Sequence, residues 1–165
     1  MRGWRSCGQC KLFSWFFTKK QLLKRVKIGF PESAPLGIYS VTIRISDINY
    51  GGHLGNERIL QLAHEARLQL LVQLGFTELD CGGHSLIMAD AEIAFKAEGF
   101  YGESLEISVY AGDATAKGFS MYYRLQKTDA DQTVVAEVRT GLVAFDYEAR
   151  RVTDLSHLFK SKLHL

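Results

Sequence analysis

The order of helix-type and strand-type patterns most limits how this chain can fold. One long segment, residues 56–74, carries apolar residues at helical spacing and is followed by Gly75, a common helix stop. A strand pattern at about 38–45 precedes it, and further strand patterns follow it at about 85–96, 105–114, 119–128 and 133–146. Short turns containing Gly or Asp separate the last strands and favour an antiparallel meander. The pattern predicts an α+β fold in the order β-α-β-β-β-β.

The predicted helix is apolar on more than one side. Its main stripe consists of Ile59, Leu62, Ala63, Ala66, Leu70 and Leu74. Other faces add Leu60, Leu68, Leu71 and Val72. A helix of this kind is expected to be buried on several sides, as if the sheet wrapped around it.

The chain has 165 residues, which suits one domain with a substantial core. Its basic residues are unevenly placed. Residues 1–31 contain no acid, and their basic residues are Arg2, Arg5, Lys11, Lys19, Lys20, Lys24, Arg25 and Lys27. The remainder is net acidic although the whole chain carries +2, which argues against a nucleic-acid-binding domain.

The domain itself is expected to span residues 36–165, after a basic, aromatic extension at 1–35. Two interpretations of the extension stay open: a poorly ordered tail, or an arm that makes weak contact with an anionic membrane surface. No apolar run approaches the ~20 residues needed to cross a bilayer, so stable membrane insertion is not expected. Three cysteines are too few for a disulfide framework, which favours a reducing, cytoplasmic location.

A polar, glycine-rich cluster lies where the first strand meets the helix. It runs from Asp47 to Asn56 and includes Asn49 and His53. Helix starts expose backbone N–H groups and a partial positive charge, so they stabilise developing anions. This cluster is the best candidate for chemistry in the chain. The histidines show no metal-ligand spacing, so no metal is expected.

Two motifs in this region carry a family resemblance. They are Asp47-x-Asn49-x-x-Gly52-His53-x-x-Asn56 and Leu60-x-x-x-His64-Glu65-Ala66-Arg67. Together they resemble the hot-dog-fold acyl-CoA thioesterases of the 4-hydroxybenzoyl-CoA thioesterase-like family, over roughly residues 37–150.

The resemblance implies a hot-dog fold, in which a five-stranded antiparallel sheet wraps a long central helix. It also implies hydrolysis of an acyl-CoA or acyl-carrier thioester to a free acid and a thiol. No cofactor is implied, because coenzyme A enters as part of the substrate. Such proteins pair two protomers with active sites at the interface, so a homodimer or a dimer of dimers (a homotetramer) is expected.

Thioester hydrolysis needs donors for the oxyanion and a slot for the substrate. The backbone N–H groups of Gly52 and His53 are the predicted oxyanion donors. Gly51 allows close approach of the backbone, and Tyr50 is an aromatic candidate for the slot. Two further substrate-binding candidates are Asn56, which is also the predicted helix N-cap, and Lys117, a cation available for CoA phosphates.

The catalytic acid is the point of departure from the family. Asn49 stands four residues before His53, where the family has its working carboxylate, and an amide cannot act as a carboxylate base. Glu65 on the helix is the predicted general base, partly buried so that its pKa rises. Asn49 would position water or the thioester carbonyl, and His53 would orient the loop. Asp47 is the second candidate base, or a turn-capping carboxylate.

Two other functions stay open. The first is a hot-dog enoyl-CoA hydratase or dehydratase, although His53 follows Asp47 by six residues and Gly51 stands where that pattern usually has proline. The second is a non-catalytic acyl-CoA-binding protein, which the replacement of the family acid by Asn49 makes reasonable.

Overall fold

The computed structural model describes residues 25–165. Its elements are β1 (Gly37–Thr42), a 3-10 turn (Ile45–Asp47), α1 (Asn56–Leu74), β2 (Ser85–Phe95), β3 (Ser104–Gly112), β4 (Gly118–Lys127), β5 (Val134–Asp146), β6 (Arg151–Val152) and α2 (His157–Lys162). The predicted α+β arrangement of one long helix and an antiparallel sheet is confirmed. The first strand is shorter than predicted because the chain turns into the 3-10 segment at Ile45.

The sheet has the order β1-β3-β4-β5-β2, and the short β6 adds to β5. The predicted meander is therefore correct for β3, β4 and β5 only. β2 pairs with β5 at the opposite edge from β1, so the β2–β3 connection passes β5 and β4. Antiparallel hydrogen bonding requires only matched strands and does not require sequence neighbours to pair.

Helix α1 packs one face against the sheet. Its buried residues are Ile59, Ala63, Ala66, Arg67, Leu70 and Leu71. They meet buried sheet residues that include Leu105, Ile107, Val109, Tyr123, Leu125 and Val138. The prediction that the helix is buried on several sides is wrong for a single chain, because Val72 is 70% exposed. The helix ends at Gly75, whose φ of 84° is the left-handed conformation that glycine adopts without strain.

The segment before β1 packs on the other face of the sheet. The centre of the Phe30 ring lies 5.3 Å from that of Tyr110 and 5.7 Å from that of Tyr122. The Arg124 guanidinium lies over the Phe30 ring, 4.4 Å from its centre. The N–H of Leu36 also donates to β3. These contacts join Phe30, which lies within the predicted extension, to the sheet, and the predicted domain boundary at residue 36 stays a prediction. The rest of the predicted extension, residues 1–24, lies outside the described residues.

Within residues 25–165, no helix has the length and apolarity required to span a membrane.

Candidate functional site

The loop between β1 and α1 begins with a compact turn at Asp47. The Asp47 carboxylate accepts a hydrogen bond of 2.9 Å from the backbone N–H of Arg44. The Asp47 carbonyl accepts another of 2.8 Å from Gly55. Asp47 thus holds the loop through its side chain and its backbone, as the turn-capping interpretation predicts.

Asn49 closes the next turn with its side chain. Its Oδ1 accepts the N–H of Gly51 at 2.8 Å, and its carbonyl accepts the N–H of Gly52 at 3.0 Å. Gly52 has a φ of 81°, which explains the glycine at that position. The Gly52 N–H is therefore engaged within the turn in this conformation. The oxyanion role of Gly52 stays a prediction that requires this hydrogen bond to open.

Helix α1 starts without a side-chain cap. Gly55 occupies the N-cap position and Asn56 is the first helical residue, so the prediction of Asn56 as N-cap is wrong. The local reason is that Gly55, with φ −64° and ψ 143°, has the extended backbone of an N-cap residue, whereas Asn56 is already helical. The N–H groups of Asn56 and Glu57 have no acceptor inside the helix, as in every helix start. They are the structural candidates for binding an anion.

A cavity of about 250 Å³ opens beside this helix start. It brings two polar side chains of the cluster, His53 and Asn56, next to an apolar surface and several charged side chains. The other lining residues are Arg25, Leu54, Ile59, Phe95, Lys96, Ala97, Glu98, Gly99 and Val135. The cavity therefore combines helix-start donors, an imidazole and an apolar wall.

His53 is half-buried and lines this cavity. Its Nδ1 lies 3.4 Å from Asn49 Nδ2 and 3.2 Å from the Leu54 carbonyl oxygen. Its Nε2 lies 3.9 Å from Glu98 Oε1. The role of His53 in orienting the loop is consistent with these contacts, and they introduce an acid that sequence analysis missed. Nothing in the sequence links His53 to Glu98, because they lie on different loops far apart in the chain.

A larger groove of about 560 Å³ lies between β1 and α1. It brings Asp47 and Glu65 to one surface, together with Arg44 and Arg58. Glu65 is exposed, and its Oε1 accepts a 3.0 Å hydrogen bond from the Gln69 side chain. The predicted partial burial of Glu65 is wrong within one chain, because its side chain projects from the helix surface that the sheet leaves open. The two predicted acids share this groove, whereas His53 and Asn56 line the other cavity.

Tyr50 and Lys117 line neither cavity. Tyr50 is fully exposed at the tip of the loop, and Gly51 beside it is also exposed. Lys117 lies in the turn between β3 and β4, where its carbonyl accepts the N–H of Ala144. The cations that reach the smaller cavity are Arg25 and Lys96.

Cys81 is the free cysteine among the described residues, and it is buried. Burial, together with the nearby charges of Asp80 and Glu78, raises the pKa of its thiol to about 12. A thiol in this state is not a nucleophile at neutral pH. Within residues 25–165, no three His, Cys, Asp or Glu side chains are grouped as a metal site.

Several solved structures have the same fold. The 1,4-dihydroxy-2-naphthoyl-CoA thioesterase Slr0204 from Synechocystis is 20% identical, with a TM-score of 0.70 over 77% of this chain and 94% of that chain. The protein SAV2348 from Staphylococcus aureus, in complex with CoA, is 14% identical, with a TM-score of 0.69 over 77% and 80%. A thioesterase-superfamily protein from Jannaschia is 16% identical, with a TM-score of 0.68 over 76% and 79%.

A comparison with curated proteins finds no match. A family profile for the thioesterase-like superfamily matches residues 43–163. The match includes the loop at Asn49 and His53, helix α1 and all strands from β2 to β6. The chain therefore belongs to the thioesterase-like superfamily and has the hot-dog fold.

Proposed function

We propose that this protein hydrolyses an acyl-CoA or acyl-carrier thioester to a free acid and a thiol. The observation that carries the proposal is the smaller cavity, which places the start of α1 and His53 against an apolar wall. The family membership supports thioester hydrolysis in general. The CoA complex of the S. aureus protein and the naphthoyl-CoA substrate of the Synechocystis enzyme support a CoA thioester as the ligand class.

The chemistry follows from what the cavity offers. When water attacks a thioester, negative charge develops on the carbonyl oxygen. The N–H groups of Asn56 and Glu57 at the helix start, with the partial positive charge there, would stabilise that oxygen. One well-placed donor is typically worth about 3 kcal/mol of barrier. Ile59, Phe95 and Val135 would hold the acyl group by excluding water.

Glu65 and Asp47 remain candidate bases only for a thioester bound in the larger groove. Glu65 lies nine residues after Asn56 in the sequence, so the helical rise separates their backbones by roughly 13 Å. Neither acid lines the cavity that holds His53. The predicted role of Asn49 in positioning water or the thioester carbonyl stays a prediction, and its amide lies 3.4 Å from His53 Nδ1.

We expect the wild-type protein to release free thiol from acyl-CoA esters. The measurement is thiol appearance with a panel of short alkyl, long alkyl and aryl acyl-CoA substrates, compared with no-enzyme controls. Glu65→Gln, assayed in parallel, tests whether the thioester binds in the larger groove. A loss of 100-fold or more in kcat would put the thioester in the larger groove, since a general base typically contributes about 10²–10⁴-fold.

Two outcomes of the same panel would contradict hydrolysis. Tight binding of acyl-CoA without thiol release would show a non-catalytic binding protein. Hydration of an enoyl-CoA without free CoA would show a hydratase.

We also propose that the protein is a homodimer, joined through strand β2. Among the described residues, β2 pairs on one side only, with β5, and most of its middle is exposed. Two large apolar side chains on it are open to solvent: Met88 is 44% exposed and Phe95 is 48% exposed. A long edge strand with exposed apolar residues favours pairing with another strand. A dimer formed there would also border the smaller cavity, because Phe95 lines it.

Ala91→Lys is expected to shift the protein from dimer to monomer. Ala91 is exposed near the middle of β2, so a lysine would place like charges across a two-fold pairing of this strand. The measurement is sedimentation velocity over a range of protein concentrations. Glu106→Lys, at an exposed position of the interior strand β3, is the matched control and should keep the wild-type state. A wild-type protein that stays monomeric at high concentration would contradict the proposal, and a tetramer would indicate a dimer of dimers.

A further inference from the structure

Asn49 carries an amide, which cannot act as a carboxylate base, and its side chain is engaged in the turn of the loop. Asn49 Oδ1 accepts the N–H of Gly51 at 2.8 Å, which turns the amide nitrogen towards His53. The smaller cavity nevertheless contains a carboxylate. Glu98, on the loop between β2 and β3, points its Oε1 to within 3.9 Å of His53 Nε2.

The backbone holds these two loops together. The N–H of Leu54, next to His53, donates to the carbonyl of Gly99, next to Glu98, at 2.8 Å. Gly99 favours this approach, because a Cβ atom there would lie 2.8 Å from Ile43 Cδ1, closer than an unstrained contact. The neighbouring residues Ile43 and Leu54 are buried and cannot easily move aside. The fold therefore holds the backbones at His53 and Glu98 close together.

We propose that Glu98 is the general base of the hydrolysis proposed above, and that His53 positions the attacking water beside it. The inference rests on that proposed function. A separation of 3.9 Å is too long for a direct hydrogen bond and leaves room for one water that contacts both side chains. The Glu98 side chain is 64% exposed, so water reaches it freely. The cavity's other charged side chains are Arg25 and Lys96, and Lys96 is held by Glu137 at 2.9 Å.

The reaction balances without any further reactant. The water oxygen forms a bond to the thioester carbonyl carbon while its proton passes to the Glu98 carboxylate. The carbonyl π electrons move onto the oxygen, which faces the N–H groups of Asn56 and Glu57. When the oxyanion re-forms the C=O bond, the C–S bond breaks. The departing sulfur takes the proton from Glu98, which leaves a free acid, a thiol and the original carboxylate.

Glu98→Gln is expected to lower kcat for thiol release by 100-fold or more, with KM changed by less than about threefold, because the base acts on water and not on bound substrate. Glu98→Asp should retain part of the rate, since it keeps a carboxylate. Added formate should restore part of the rate of Glu98→Ala, because a small carboxylate can occupy the vacated space. A purely structural role for Glu98 would not produce formate rescue.

Glu106→Gln is the matched control, because Glu106 is an exposed acid on β3 whose side chain lines neither cavity. It should match wild type on the same acyl-CoA panel. Thiol release by Glu98→Gln at the wild-type rate, with active wild-type protein, overturns the assignment of Glu98 and leaves the proposed function intact. Absence of thiol release by the wild type overturns both.

Discussion

Replacing Phe159 with alanine is expected to lower the free energy of unfolding by about 3–5 kcal/mol. Phe159 in α2 is fully buried. Its ring makes edge-to-face contacts with Phe76, at 5.1 Å between centroids, and with Phe119, at 5.7 Å. Removal of the ring loses the free energy gained by burying its apolar surface. It also leaves a cavity between the end of α1 and the sheet, which the closely packed neighbours cannot fill.

The measurement for Phe159→Ala is urea unfolding at equilibrium, with the m-value compared between variants. Leu158→Ala is the matched control, because Leu158 lies in the same short helix and is 57% exposed. Its expected effect is within about 0.5 kcal/mol. A loss below about 1 kcal/mol for Phe159→Ala would contradict the docking of α2 in the core.

Glu78→Ala is the second change with a large expected effect, a loss of about 3 kcal/mol. Arg67 is a buried residue of α1, and Glu78 binds its guanidinium at 2.8 Å and 2.7 Å. His64 binds the other carboxylate oxygen at 2.9 Å. Without Glu78, the charge of Arg67 is left buried with only the Tyr123 hydroxyl, at 3.5 Å, as a side-chain contact. This expected loss lies at the low end of the range for breaking a buried ion pair, because the Glu78 side chain is 27% exposed.

The same pair predicts a pH dependence. Burial alone would raise the pKa of the Glu78 carboxyl, but the hydrogen bond from His64 and the charge of Arg67 outweigh it and lower the pKa below the ordinary value of 4.5. A carboxyl with a lowered pKa in the folded state stabilises the protein fully above its unfolded pKa. That contribution is lost as the pH falls below about 4.5 and through the folded pKa. The free energy of unfolding of Glu78→Ala should therefore fall less steeply than that of the wild type as the pH drops below about 4.5.

Unfolding in urea at neutral pH and at several acidic values measures both effects. The double variant Arg67→Met/Glu78→Gln is the control, because it removes the charge that Glu78→Ala leaves unpaired. It should recover part of the loss, since it leaves no buried charge without a partner. Equal losses for Glu78→Ala and the double variant would contradict the unpaired-charge explanation.

The elements themselves could be predicted from the sequence because each depends on local pattern. Helix α1 begins and ends at the predicted residues, Asn56 and Leu74, since helical periodicity and Gly75 define it locally. The strands β2 to β5 lie within two residues of their predicted bounds, because alternation also acts over a few residues. The two motifs around Asn49 and Glu65 likewise indicated the superfamily correctly.

The arrangement of those elements depended on contacts between distant residues. Alternation makes a segment a strand but does not select its partner, so the placement of β2 beside β5 could not be read locally. Phe30 lies outside the regular elements, and only its stacking on Tyr110 and Tyr122 places it with the domain.

The candidate site shows the same division. The chain itself determined a helix start rich in glycine, with His53 nearby and an amide at Asn49 in place of an acid. Only the tertiary structure placed Glu65 in the groove between β1 and α1 and His53 in the other cavity. It also brought Glu98 to His53, through one backbone hydrogen bond between two loops. Local sequence sets which groups are available, and the packing of distant loops decides which of them meet.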